Sequence, residues 1–282
     1  MKEQFQHKLT TSFFLWFDDF LLTKGEAYTN RTGEFFYYDD PRLDSTYKAY
    51  GSPFKQWVTD SAVTGATMPT GVYIGGSFSG RDDGVVLDFE NGRALVSGSN
   101  TGLSLTGQFS VKDFNVYMTN DTEEDLVVEN KYTVNSRLPS GPYTYIDPYD
   151  DVVPAIFISS SDAQNKPFAL GGMQDTIVAM KAVILAEDTY QLDGVLSIFM
   201  DSVDECLNPI PMTGYPTTEL GDLKDGSYNY DTVKDGYSGD IKFYINAVKT
   251  SKLTDRDRKS LAHDMYVGFI DFDVQQHRYR FN

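Results

Sequence analysis

The sequence has a single cysteine, Cys206, so no intrachain disulfide can form and no cysteine cluster can hold zinc. Histidine is almost as scarce: His7, His263 and His277 are the only three. They form no HExxH motif and no pair one helical turn apart, the spacings that would carry a metal. No GxSxG marks a strand-to-helix nucleophile. No phosphate-cradling loop with a lysine is found among the glycine-rich runs. Positive charge is in short supply too, with 24 Lys and Arg against 41 Asp and Glu and a net charge of −17. A chain this acidic does not neutralise phosphates, which argues against direct nucleic-acid binding. The longest apolar run near the start, residues 13–17, is closed by Asp18 and Asp19. It is too short and too acidic for a signal peptide or a membrane span. These absences point away from an enzyme, a cofactor or metal protein, and a membrane protein.

Aromatic residues are abundant, at 19 Tyr and 19 Phe. A chain of 282 residues can bury a sizeable core. Leu9, Phe13, Trp16, Phe17, Phe20 and Leu21 recur at helical spacing, and Gly25 is placed to stop a helix over 9–24. Phe14, Leu15 and Leu22 widen its apolar face. A helix greasy on most sides is buried on most sides, either within one chain or between two copies.

Residues 26–65 are aromatic and turn-rich with poor periodicity, and read as an ordered arm or loop. From 68 to 135 short alternating runs are punctuated by glycine. Asn91-Gly92 between two of them is a hairpin signal. Lys112-Asp113 reads as a β-bulge. Short strands at this spacing predict a sandwich or a small barrel. The proline-rich stretch up to Pro154 is the best boundary.

Beyond it, residues 176–186 form a strand with apolar residues on both faces. Asp188 caps a helix over 188–204, with Gln191 at the capping-box position and a stripe of Leu192, Val195, Leu196, Phe199 and Val203. Residues 209–238 read as a long polar loop. The Asp- and Gly-dense part, 221–240, leaves calcium open, although its spacing misses the EF-hand pattern. Two alternating strands, around Phe243 and Phe272, close the chain.

The expected fold class is therefore α+β: a small antiparallel sheet covered by helices, with a large all-β insertion. The expected organisation is one discontinuous domain, 1–25 plus 151–282, with a β-rich insertion, 26–150. Candidate interface residues are Phe14, Trp16, Phe17 and Leu22 on the wide helix, and Tyr228, Tyr230 and Asp235 on the long loop. If the β region were a carbohydrate-binding or adhesion module, Trp57 in "SPFKQW" would be the ring to stack on a sugar.

Three stretches, "SFFLWFDDFLLTKGEAYTN", "FSVKDFNVYMTNDTEEDLVVENKY" and "PFALGGMQDTIVAMKAVILAEDTYQLDGVLSIFMDSV", resemble virion structural proteins of marine tailed bacteriophages with contractile tails. These belong to the neck and tail-completion group. The C-terminal order of strand, helix and strands is similar to tail-terminator and connector subunits. The resemblance implies a homo-oligomeric ring, usually a hexamer, at the head–tail junction. It implies neighbours among neck, tail-tube or sheath proteins, DNA passing nearby without specific binding, and a virion protein made in the host cytoplasm.

Overall fold

The computed structural model describes residues 2–43, 45–98, 102–128, 133–134, 150–168, 171–260 and 265–279. The fold is mixed, with two curled, barrel-like β-sheets and helices between and beside them. The tail-terminator likeness expected from the sequence is a finer statement than this and is taken up below. The proline-rich boundary stretch lies mostly in 135–149, outside the described residues. Among the described residues, no helix is long and apolar enough to cross a membrane.

Helix α1, Phe5–Lys24, opens the chain. Gly25 ends it by close approach: its N–H donates to the Leu21 carbonyl, and a Cβ there would lie 2.5 Å from that oxygen. The first sheet contains seven strands: β1 (Tyr28–Tyr38), β2 (Tyr47–Gly51), β3 (Gly71–Ile74), β4 (Ser77–Gly80), β5 (Val85–Asp88), β6 (Arg93–Ser97) and β7 (Leu105–Lys112). Their order is β4-β3-β7-β1-β2-β6-β5, antiparallel throughout. The sheet curls until its end strands β4 and β5 touch. The expected hairpin is present between β5 and β6, with Gly92 at φ 60°.

The expected arm or loop over 26–65 contains β1 and β2, with turns and bridges between and after them. Its periodicity fails because the first half of β1 is exposed on both faces. The expected bulge at Lys112-Asp113 is instead the place where the chain leaves this sheet. Residues 113 and 114 bend, and the next strand pairs elsewhere.

That strand, β8 (Asn115–Met118), belongs to the second sheet. Helix α2 (Glu123–Val128) follows, and then β9 (Thr133–Val134) and β10 (Val152–Val153), a small parallel pair. The rest of the second sheet is β11 (Ala155–Pro167), β12 (Met173–Ala186), β13 (Cys206–Leu207), β14 (Phe243–Lys252) and β15 (Tyr266–Tyr279). The order is β13-β14-β15-β12-β11-β8, with only β8–β11 parallel. Helix α3 (Thr189–Met200) lies on this sheet, while α4 (Tyr230–Gly236) and α5 (Asp255–Ser260) are short.

Strand β12 explains its own sequence. Val178, Met180, Ala182 and Ile184 face the main core that α1 and α3 share. Val183 and Leu185 face a second cluster that includes Leu126 and Val127 of α2. Both faces are thus covered within one chain, which is what an apolar run without alternation requires.

Helix α3 starts as expected. The Asp188 carboxylate accepts from the Gln191 N–H at 2.8 Å, and the Gln191 amide oxygen accepts from the Glu187 N–H at 3.2 Å. It stops four residues earlier than the sequence stripe suggests, so Leu192, Val195, Leu196 and Phe199 are buried while Val203 is exposed.

Candidate assembly surfaces

Three of the four residues expected to face a partner from the first helix do not. Phe17 is fully buried and stacks on Phe199, with centroids 4.0 Å apart and planes at 14°. Trp16 is buried against Phe20, Phe199 and Phe272. Leu22 is buried on another side, against Val58 and Val63. The helix is apolar nearly all round because the sheet and α3 cover one side and the segment around Val58 covers another. The copy that presents these rings is also the copy that shelters them. Phe14 is half-buried beside Tyr215, 6.0 Å between centroids.

Trp57 is likewise a core residue. It stacks on Phe109 at 4.8 Å and meets Phe35 and Phe89 edge-on. No sugar can reach its face, which removes the residue on which the carbohydrate-binding alternative rested.

The expected polar loop, 209–238, is a strap that binds the two sheets together. At its start, the Ile210 N–H donates to Ser12 Oγ of α1 at 2.8 Å. Further on, the Thr217 hydroxyl donates to Glu90 Oε1 at 2.7 Å, and the Phe89 N–H donates to the Gly221 carbonyl at 3.0 Å. Arg81 reaches the Asp222 carboxylate and the Leu223 carbonyl. The Ser61 N–H donates to the Tyr228 carbonyl at 2.9 Å. Tyr228 and Tyr230 are consequently buried, and of the three candidates on this segment only Asp235 is exposed. Buried backbone polar groups must be paired, and here a segment whose only regular structure is a short 3-10 turn and the short helix α4 achieves this largely through side chains and turns. Among the described residues no group of three or more His, Cys, Asp or Glu could hold a metal ion.

Carboxylates gather where the strap meets α1. The Asp60 Oδ1 accepts from the N–H groups of Ala62 and Tyr230, at 2.8 and 3.1 Å, while among the described residues its buried Oδ2 has no hydrogen-bond partner. Asp18 is paired with Lys112 at 2.6 Å. Burial, together with Asp60 and Asp231, pushes the Asp19 carboxyl up to about 7. Burial also raises Asp60, against the pull of its two backbone hydrogen bonds.

A raised carboxyl pKa means that the folded state holds a proton that the unfolded state has lost. The stability it contributes is complete below about pH 4 and disappears as pH rises towards 7. Asp19→Asn is therefore expected to be more stable than the parent at pH 8, by roughly 1 kcal/mol after allowance for solvent screening of this half-buried group. The difference should shrink towards pH 5. Thermal melts of both proteins across that range check it, and a pH-independent difference would refute it.

Between the sheets, beside this junction, lies a cavity of about 260 Å³ bordered by Phe14, Asp18, Glu90, Lys112 and Tyr215. Of its charged groups, Lys112 pairs with Asp18 and Glu90 accepts from the Thr217 hydroxyl, while burial raises the Asp151 carboxyl. It reads as part of the junction.

The unpaired backbone lies at the borders of the second sheet. Strand β8 covers β11 only over 155–158, and β13 covers β14 only at its first two residues. Among the described residues, the outer edges of β11 over 159–167 and of β14 over 246–252 have no strand beside them. An open edge is a template for another strand. Both segments carry charge, Asp162 and Lys166 on one and Lys249 and Lys252 on the other, which discourages indiscriminate pairing. β14 alternates in its residues, but nothing in them signals that its neighbours would be so short.

Compared with protein-family models and with curated proteins, the chain matches none.

Proposed function

We propose that the protein is a structural subunit of a tailed-phage virion, a neck or tail-terminator/connector component that forms a ring at the head–tail junction. The observation that carries this reading is the second sheet, open at two opposite borders and roofed on one face by α1 and α3. A contact between two different borders is heterologous, and when the rotation it imposes closes, it makes a ring. The sequence resemblance supports the same reading. The acidic surface suits a wall past which DNA slides without adhering, since like charges repel at close range. On this reading the seven-stranded sheet is a decoration that the strap 209–238 holds to the ring-forming part.

Light scattering of the purified protein at high concentration and low salt should report a closed oligomer, and negative-stain electron microscopy should show rings, with six copies the expected number. A strict monomer under all conditions, alone and with neck or tail proteins of the same virion, would refute the reading.

A further inference from the structure

The second sheet extends beyond the start of α1, and the uncovered end forms a groove of about 1160 Å³. Its floor comes from cross-strand rows on one face: Asn165–Thr176–Gln276 and Pro167–Gln174–Arg278. The first turn of α1 forms one wall. Among the described residues, Lys2, Lys8 and Arg278 line the groove with Glu3 as the only acid, and Glu3 is engaged by the Met212 N–H at 2.6 Å. The Arg278 Nε donates to the Thr176 hydroxyl at 2.9 Å, and its guanidinium lies 4.1 Å over the Phe5 ring. Burial pulls it below the usual arginine range. Among the described residues, Lys2 and Lys8 make no ion pair. The first turn of α1 contains no acidic residue, in a chain that has 41.

The opposite border of the sheet has the complementary character. The turn 201–205 leads from α3 into β13 and exposes Asp201, Asp204 and Glu205. Asp204 adopts φ 70°, and the backbone of the turn is held to β14, the Asp204 N–H donating to the Ile245 carbonyl and the Ile245 N–H to the Glu205 carbonyl, both at 3.0 Å. Beside these acids, Met200 is 54% and Val203 42% exposed. One border thus offers cations around the half-buried Phe5 ring, and the other offers carboxylates around two exposed apolar side chains. Apolar centres with opposite charges around them are the composition of a specific interface.

We propose that the basic groove seats the acidic turn 201–205 of a second copy, so that copies join head to tail across opposite borders of the six-stranded sheet. This rests on the ring reading and says which surfaces make the ring. Asp201 and Glu205 sit over Lys8 and Arg278, while Met200 and Val203 lie beside Phe5. The contact is largely electrostatic, so assembly weakens as salt rises.

Lys8→Glu tests it, because an acid in the first turns of a helix favours the helix and so leaves the monomer folded. Lys2→Glu, at an exposed position, is the second variant. Sedimentation equilibrium of the wild type should give an oligomer, with the dissociation constant raised about tenfold or more by each reversal. A compensating protein with Lys8→Glu, Asp201→Lys and Glu205→Lys should recover assembly. Wild-type assembly that both reversals leave unchanged would overturn the groove contact and leave the ring reading in place, as would capture of some other acidic molecule in the groove of an intact ring. A wild type that stays monomeric would overturn the ring reading itself, and this contact with it.

Discussion

Phe17→Ala is expected to cost about 3–5 kcal/mol of folding stability, the range for deleting a large buried aromatic, and to leave the oligomeric state of the folded protein unchanged. Phe17 has no exposed surface and stacks on Phe199, and both rings meet Phe272 edge-on. Removing one ring leaves a hole bounded by two elements that cannot both collapse: a long helix and the centre of a six-stranded sheet. Urea titration with constant m-value would measure the loss. The result separates two meanings of a wide apolar helix. If the helix were an interface, the variant would keep its monomer stability and lose assembly. A small stability change with loss of oligomer would overturn the assignment of this face to the core.

Arg93→Ala is expected to be at least as damaging, again about 3–5 kcal/mol, because it strands buried carboxylates. Arg93 donates to Asp88 at 2.7 Å, to Asp40 at 2.6 Å and to the Tyr38 hydroxyl at 2.8 Å, and all four side chains are buried. Burial alone would raise the Asp40 carboxyl. Hydrogen bonds from the Arg42 backbone and from Arg93, with the charges of both, outweigh it and hold Asp40 below its usual value. Its contribution to stability is therefore present above pH 4 and lost as pH falls through the depressed pKa. Without Arg93 the balance reverses and burial dominates. The variant should then be weakest near neutrality and recover part of its deficit as the medium is acidified and the carboxylates take up protons. Melts at pH 7 and pH 4.5 check this. A deficit that grows on acidification would refute the account.

The two predictions reflect what the sequence made legible. The α1 period, the Asp188 cap, the Asn91-Gly92 hairpin and the alternation around Phe272 each express a local rule, and each appears in the structure. Arg93 and Asp40 carried no such signal, because they meet only through the β1–β2–β6 pairing. The strap 209–238 was illegible for the same reason. Its hydrogen bonds go to residues far away in sequence, and a segment satisfied by distant partners looks like any polar loop. The apolar excess of α1 was visible, but its meaning was not. Leu22 is covered by Val58 and Val63, and nothing in the local pattern announces that cover. The candidate assembly surface shifted accordingly, from the greasy helix to polar sheet borders. Their openness depends on how short β8 and β13 are, a property of pairing that no single strand encodes.

The contact between Phe13 and Phe272, 5.1 Å between centroids, joins the first helix to the last described strand. During synthesis the helix therefore emerges long before the surface that will shelter it. Its rings must wait until the strand that carries Phe272 has been translated, while the first sheet can already assemble from neighbouring hairpins. Domains normally mature in the order in which they leave the ribosome. Here helix α1 finds its full cover only after that much later strand, and distant pairing of this kind makes for slow folding. Until then the nascent polypeptide displays a sticky aromatic helix, one that holdase chaperones would be well suited to mask.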